Sequence, residues 1–321
     1  MKPQLPGRRF KTRDSSLAYF VNQLENLDKR LYEPLLAVTW GRDIKLREGL
    51  TMGVEATSFI QAEFAGAGTL QNSVGNFPWI SAETTAIPGV TISGKKVVLP
   101  LRLLAREVSY TSVELERSAL TGQSIDVQKL NALNLLYQMN IDQMVYIGSA
   151  DVGATGLANS PAVVASNVTG GTFLSNLLNP DTILSQVNTL LSATWLASAY
   201  AVCPGKLLLP PNQFAQIASS KVSTAGNVSV LEFIKQNSIA LTINGSPLDI
   251  QPVKWLAGAG VAGADRMIAY TNSEDRVRYP MVPVRRETAY YQGIRYTAPY
   301  LWALGEMEIV YPETIRYADG V

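Results

Sequence analysis

Three glycines, Gly258, Gly260 and Gly263, stand at the spacing of the dinucleotide-binding fingerprint in the segment Gly258-Ala-Gly-Val-Ala-Gly263. That fingerprint holds a pyrophosphate when the glycines follow a strand and open a helix whose N-terminal amides face the anion. Here they lead through Asp265 and Arg266 into Met267 to Tyr270, a run with strand character. A turn between strands is therefore expected, and a dinucleotide-binding enzyme using residues 258–263 is kept only as the lesser alternative. Cys203 is the sole cysteine, which excludes an intrachain disulfide and a cysteine-based zinc site. The chain has no histidine, so it lacks the side chain best suited to proton transfer near neutral pH and the commonest transition-metal ligand. Serine-histidine-acid and cysteine-histidine arrangements fall with it. No serine-lysine pair stands at a usable spacing, and no acidic cluster offers a paired-carboxylate mechanism. The expectation is a protein that is not an enzyme, with no catalytic residue, no cofactor and no metal.

The bulk composition points to contacts with other chains. Of 321 residues, 47% are hydrophobic and 17% charged, more apolar material than a soluble monomer needs, so part of it is expected to face partner subunits. The length suits one large domain or two ordinary ones. A net charge of +1 excludes a surface built throughout to wrap nucleic acid. The local exception is the start of the chain, where Arg8, Arg9, Lys11 and Arg13 crowd with Lys2 around Pro3, Pro6 and Gly7. This segment reads as a flexible basic arm, the local candidate for a nucleic-acid contact, with a merely solvated tail as the equal alternative. No run reaches the ~18 to 20 apolar residues of a membrane span, and no signal peptide is expected.

The elements that must position these residues follow from periodicity. Leu17, Phe20, Leu24, Leu27 and Leu31 recur at steps of three and four, predicting an amphipathic helix from Ser15 to about Tyr32, ended by Pro34. Between Leu50 and Pro100 the texture turns to β-branched, small and turn-forming residues, read as two strands joined by a long excursion. Phe77 and Trp79 sit in that excursion, where a lone chain gains little by exposing them. Lys96 to Tyr110 has strand character, with Val97, Leu99, Leu101 and Leu103 on one face, and Thr111 to Leu120 looks helical. A second helix of about 125–147 carries the stripe Val127, Leu130, Leu133, Tyr137, Ile141 and Met144. It makes a rod roughly 35 Å long, and Gly148 stops it. Helices at Pro180 to Leu191, Pro211 to Ser219 and Ser229 to Gln236 then alternate with strands at Lys206 to Leu209, Asp249 to Lys254 and Met267 to Tyr270, the pattern of an α/β lobe. Arg285 to Thr297 and Glu306 to Tyr311 are predicted as long returning strands.

This order of parts resembles the HK-97-type major capsid protein of tailed bacteriophages, in the branch related to encapsulins and linocin-type proteins. The wording Asp142-Gln-Met-Val-Tyr-Ile-Gly148, then Gly153, Gly156-Leu157 and Asn159-Ser-Pro161, is similar to the stretch in which these families end the spine helix. Tyr311 to Gly320 looks like their closing segment. The resemblance implies an α+β HK-97-type fold. Residues 1–50 would be an N-terminal arm and helix, 51–110 strands with an extended loop at about 62–96, and 111–178 a peripheral domain with the spine helix. Residues 179–280 would be the axial domain, and 281–321 strands returning to the peripheral domain. It further implies self-assembly through pentamers and hexamers into an icosahedral shell around phage double-stranded DNA. Inter-subunit contacts would fall at Phe77, Trp79, Lys95 and Lys96 in the loop and at Phe20 and Leu24 on the first helix. The partners implied are further copies of the chain, a separate scaffolding protein, a portal and decoration proteins, with packaged DNA touched non-specifically and no membrane. The place implied is the virion, after assembly in the bacterial host cytoplasm. An encapsulin-type compartment shell is the nearest alternative.

Overall fold

The computed structural model describes residues 37–65, 91–121, 125–223 and 228–321. The predicted helix at Ser15 to Tyr32, with Phe20 and Leu24, the arm residues Arg8, Arg9, Lys11 and Arg13, and the loop residues Phe77 and Trp79 lie outside the described residues.

The described chain begins with a one-turn helix α1 (Trp40–Asp43) and a short strand β1 (Lys45–Arg47). Strands β2 (Ala56–Ala65) and β3 (Thr91–Pro100) pair antiparallel over their full length, and among the described residues with no other strand. After the single residue Leu101 come β4 (Arg102–Thr111), α2 (Ser112–Thr121) and the 22-residue spine helix α3 (Ile125–Tyr146). Small strands β5 (Gly148–Ser149), β6 (Ala154–Thr155) and β7 (Ala165–Asn167) lead out of the spine. The α/β segment holds α4 (Pro180–Ala197), β8 (Lys206–Leu209), α5 (Pro211–Ser219), α6 (Val230–Asn237), α7 (Ile239–Asn244), β9 (Asp249–Pro252) and β10 (Arg266–Tyr270). The remainder is β11 (Val277–Arg286), β12 (Tyr290–Gln292), β13 (Arg295–Leu304), β14 (Glu308–Ile309) and β15 (Ile315–Asp319).

Two sheets organise these elements. A mixed five-stranded sheet runs β7-β15-β10-β8-β9. Successive side chains on a strand point to opposite faces, and here both faces are covered. Leu207, Leu209, Met267 and Ala269 pack into one core with Val187, Leu191 and Ile234 of α4 and α6. Leu208, Ile268 and Tyr270 face a second core with Ile141 and Tyr146 of the spine and Trp302 of β13. A sheet buried on both sides selects continuous apolar runs over alternating ones, which is why Lys206-Leu-Leu-Leu209 is buried at every position. The other sheet runs β1-β11-β13-β12, with β4 on β13 and β14 on β11. It meets the spine where Tyr137 packs edge-on against Trp302, ring centres 5.6 Å apart.

The glycines at the spine exit have steric causes. A side chain at Gly148 (φ 78°) would sit 2.1 Å from the Ala154 carbonyl oxygen, and one at Gly156 would sit 2.4 Å from the Tyr146 backbone. Asn159 locks this crossing by accepting from the Gly156 amide at 2.7 Å and donating to the Ile147 carbonyl at 2.7 Å. Leu157 beneath it is fully buried.

Several predicted elements differ from the structure for identifiable reasons. Lys96 to Tyr110 is two strands, because Leu101 turns inward against Val282 and Ala303 and its amide donates to the Glu55 carbonyl at 2.8 Å. Leu103, read on one face with Val97, Leu99 and Leu101, is 67% exposed, whereas Leu101 is buried. Only Leu133, Tyr137 and Ile141 of the spine stripe are buried, while Val127 near the N-terminal end is 52% exposed. Arg285 to Thr297 folds into the end of β11, β12 and the start of β13, turning through Gly293 (φ 62°). Of Glu306 to Tyr311, two residues pair as β14, and the closing segment β15 joins the five-stranded sheet between β10 and β7.

Candidate assembly surface

The β2–β3 hairpin carries a row of exposed apolar side chains. On one face stand Ile60 and Ile92, each 69% exposed, and Val98, 54% exposed, together with exposed Lys96. On the other, Phe59, Val97 and Leu99 are half-buried, beside exposed Lys95. A two-stranded ribbon is marginal in water by itself, and this one presents apolar side chains on both faces. Ile60, Ile92 and Val98 were absent from the residues picked out by sequence reasoning. The ten-residue register that puts all three on one face was the missing information, since the strand boundaries decide which residues oppose each other.

The root of the hairpin is fastened to the body. Arg47 donates to the Ser58 carbonyl at 3.3 Å, and Gln61 donates to the Val310 carbonyl at 3.0 Å. Arg47 is itself held by the fully buried Glu308 at 2.7 Å, and the same carboxylate takes Arg278 at 2.6 Å. A shared buried carboxylate fixes both guanidinium groups more firmly than exposed pairs would.

A second anchor ties the entering segment to the spine and to the five-stranded sheet. Asp142 of the spine, fully buried, accepts from the amides of Thr39 (2.8 Å) and Trp40 (3.1 Å) and from the Trp255 indole (2.7 Å), with Lys254 at 3.3 Å. Asp43, also fully buried, takes Arg42 at 2.8 Å, Lys206 at 3.1 Å and the Tyr146 hydroxyl at 2.5 Å. Burial, reinforced by the Asp43 charge, pushes the Tyr146 hydroxyl far above the usual tyrosine range. These groups are mutually satisfied, so they build structure and leave no free acid or base.

The glycine loop is likewise occupied by its own chain. Gly258 (φ 68°) donates to Asp265 Oδ1 at 2.9 Å, and Val261 donates to Asp319 Oδ2 at 3.1 Å. A side chain at Gly260 would sit 2.8 Å from the Asp319 carboxyl carbon. The loop leads into β10, and two carboxylates stand where a pyrophosphate would need amides and positive charge. Burial raises the Cys203 thiol pKa, opposite to what a reactive thiolate requires. Among the described residues no group of three His, Cys, Asp or Glu side chains could hold a metal ion, and no helix is long and apolar enough to cross a membrane.

Comparison with solved structures gives the class. The capsid of Myoviridae phage XM1 superposes with a TM-score of 0.76 at 17% identity, covering 94% of this chain and 98% of that one. The capsid of the native GTA particle gives 0.59 at 10% identity, with 96% and 99% covered. A structure from Mycobacterium phage Che8 gives 0.57 at 13%, with 92% and 96% covered. At such identities the likeness shows the fold, which is the HK-97-type capsid fold. No curated protein sequence matches the chain. The profile of the family described as Major capsid protein matches residues 75–321, and the chain belongs to that family. Its function is that of a capsid shell protein.

Proposed function

We propose that copies of this chain assemble through pentamers and hexamers into an icosahedral shell that encloses the double-stranded DNA of a tailed phage. The observation that carries the reading is the β2–β3 hairpin, anchored at its root, whose face of Ile60, Ile92 and Val98 finds no cover within the described chain. Closed shells need repeated heterologous contacts, and an arm of this kind can cover a neighbour while the body stays rigid. Many modest contacts summed over neighbours hold a particle together without disulfides. In this reading residues 179–280 form the axial domain, the spine and β4 belong to the peripheral domain, and Lys95, Lys96, Phe77, Trp79, Phe20 and Leu24 lie at inter-subunit contacts. Arg8, Arg9, Lys11 and Arg13 touch DNA or a neighbour. A separate scaffolding protein, a portal and decoration proteins complete the particle, which assembles in the host cytoplasm; the chain works without catalysis.

The test is the content of particles purified from infected cells. Nuclease-protected double-stranded DNA inside them supports the reading. Particles holding a protein cargo and no DNA would establish an encapsulin-type compartment in its place.

A further inference from the structure

Arg316 of β15 stands where the strand pairing calls for an apolar side chain. It lies opposite Ala269 of β10, and two residues along Ala318 lies opposite Met267. Ala269, Ala318 and Met267 all belong to the core under α4. Directly paired residues share a face of the sheet, so the guanidinium is on the α4 side. Among the described residues it makes no hydrogen bond and no ion pair, and its buried Nε has no acceptor. The facing wall has the complementary gap. Gln186 of α4 is 7% exposed, and its Nε2 donates to the Thr169 and Gly171 carbonyls at 3.0 and 2.8 Å, which fixes the way the amide faces. Its buried Oε1 receives no hydrogen bond. Both residues line one cavity of about 260 Å³ between α4 and the β7–β15 edge of the five-stranded sheet, together with Thr182 and Ser185 of α4. Arg316 is the one charged side chain on its walls among the described residues.

We infer that this cavity binds a small oxyanion that carries its own O–H, namely inorganic hydrogenphosphate. Buried donors and acceptors are costly when left unpaired, and here an unpaired donor and an unpaired acceptor line one space. A water molecule could bridge them, but it brings no charge to Arg316. Hydrogenphosphate supplies both kinds of partner. Its bare oxygens accept from the Arg316 guanidinium and from the Thr182 and Ser185 hydroxyls, and its P–OH donates to Gln186 Oε1. Arg316 is half-exposed, so its side chain is the wall that swings to admit the anion and then closes on it. The volume of about 260 Å³ falls below the ~300 to 1,000 Å³ of pockets for drug-sized ligands, which holds the guest to this scale. The missing donor also sets the selectivity. Sulfate and the phosphodiesters of DNA have no O–H near neutral pH, and a phosphomonoester has lost most of its own above a second pKa of about 6. Inorganic phosphate keeps one in either of its neutral-pH forms. The bound anion would tie α4 to β15 within a single copy, independently of shell formation.

Titration calorimetry of the full chain in a phosphate-free buffer tests this, with sodium phosphate, sodium sulfate and methyl phosphate compared at equal ionic strength and about pH 7.5. Phosphate is expected to bind saturably at one site, and sulfate and methyl phosphate about tenfold or more weaker. Saturating phosphate should raise the melting temperature by about 2 °C or more. Arg316→Met, which removes a group that no other part of the described chain uses, should keep the wild-type circular dichroism and weaken phosphate binding by about tenfold or more. No saturable phosphate binding to the unmodified chain overturns the inference. Phosphate binding that survives Arg316→Met unchanged overturns it too, as adventitious binding elsewhere on the surface. Equal affinity for phosphate and sulfate refutes the role of Gln186 Oε1. If Arg316→Met fails to fold, the comparison of the three anions on the unmodified chain still decides.

Discussion

Arg266 and Asp319 meet in a bidentate pair at 2.6 and 2.8 Å, both side chains nearly out of water, at the junction of β10 and β15. The guanidinium also donates to the Ala158 carbonyl and lies 4.5 Å from the Tyr317 ring centre. The pair thus joins the spine exit, the glycine loop and the closing strand. Removing one partner of a buried ion pair leaves the other charge uncompensated, with a loss of about 3 to 5 kcal/mol. Asp319→Ala is expected to lower stability by that order in denaturant unfolding, and an unchanged midpoint would refute the role.

The same carboxylate makes stability depend on acid. For Asp319, burial opposes ionisation, but the Arg266 hydrogen bonds, the Val261 amide and the Arg266 charge outweigh it and lower the pKa. For Asp249, burial is likewise outweighed by hydrogen bonds from Gln251 and Lys206. A carboxyl whose folded pKa lies below its unfolded value of about 3.9 contributes stability that is complete above that value. It is lost as the pH falls through the folded pKa. Unfolding free energy should therefore drop below about pH 4, and Asp319→Asn should flatten its share of that slope. An identical slope in the variant would show that Asp319 does not contribute.

Asp142 accepts from the Thr39 and Trp40 amides and the Trp255 indole and stands beside the Lys254 ammonium, all from outside the spine. Asp142→Ala leaves the Thr39 and Trp40 amides and the Trp255 indole without their acceptor, each a loss of about 1 to 3 kcal/mol where water cannot replace it. Local loosening at residues 37–43 is expected, seen as faster hydrogen exchange of the Thr39 and Trp40 amides. Unaltered exchange there would mean that the segment is held by other contacts.

Legibility in the sequence followed how local each cause was. The spine, Lys206 to Leu209 and Pro211 to Ser219 were readable because periodicity, capping and proline act within a few residues. The break at Leu101 was hidden because its causes, Glu55, Val282 and Ala303, are distant in sequence. The anchoring roles of Asp142 and Asp43 were not legible, since the Trp255 indole and the Lys206 ammonium that reach them are distant in sequence and are brought in by tertiary packing. Lys95 and Lys96 fell on the exposed hairpin, whereas Ile60, Ile92 and Val98 required the strand register.

The exposed hairpin separates folding from assembly. Ile60 is 69% exposed, so Ile60→Asp should change the stability of the lone chain by no more than about 0.5 kcal/mol. On a surface meant for a neighbour it should sharply reduce assembly, because a charge is buried without a partner. Melting curves and particle yield on one preparation decide this. A large drop in melting temperature would show that Ile60 packs on its own chain.

The central claim is that this chain builds a closed shell, and electron microscopy of the purified protein after size-exclusion chromatography tests it most directly. Closed particles, five- or six-membered rings, or tubes are the predicted result. A persistent well-folded monomer or simple dimer across salt conditions, and with a coexpressed scaffolding protein, would contradict it.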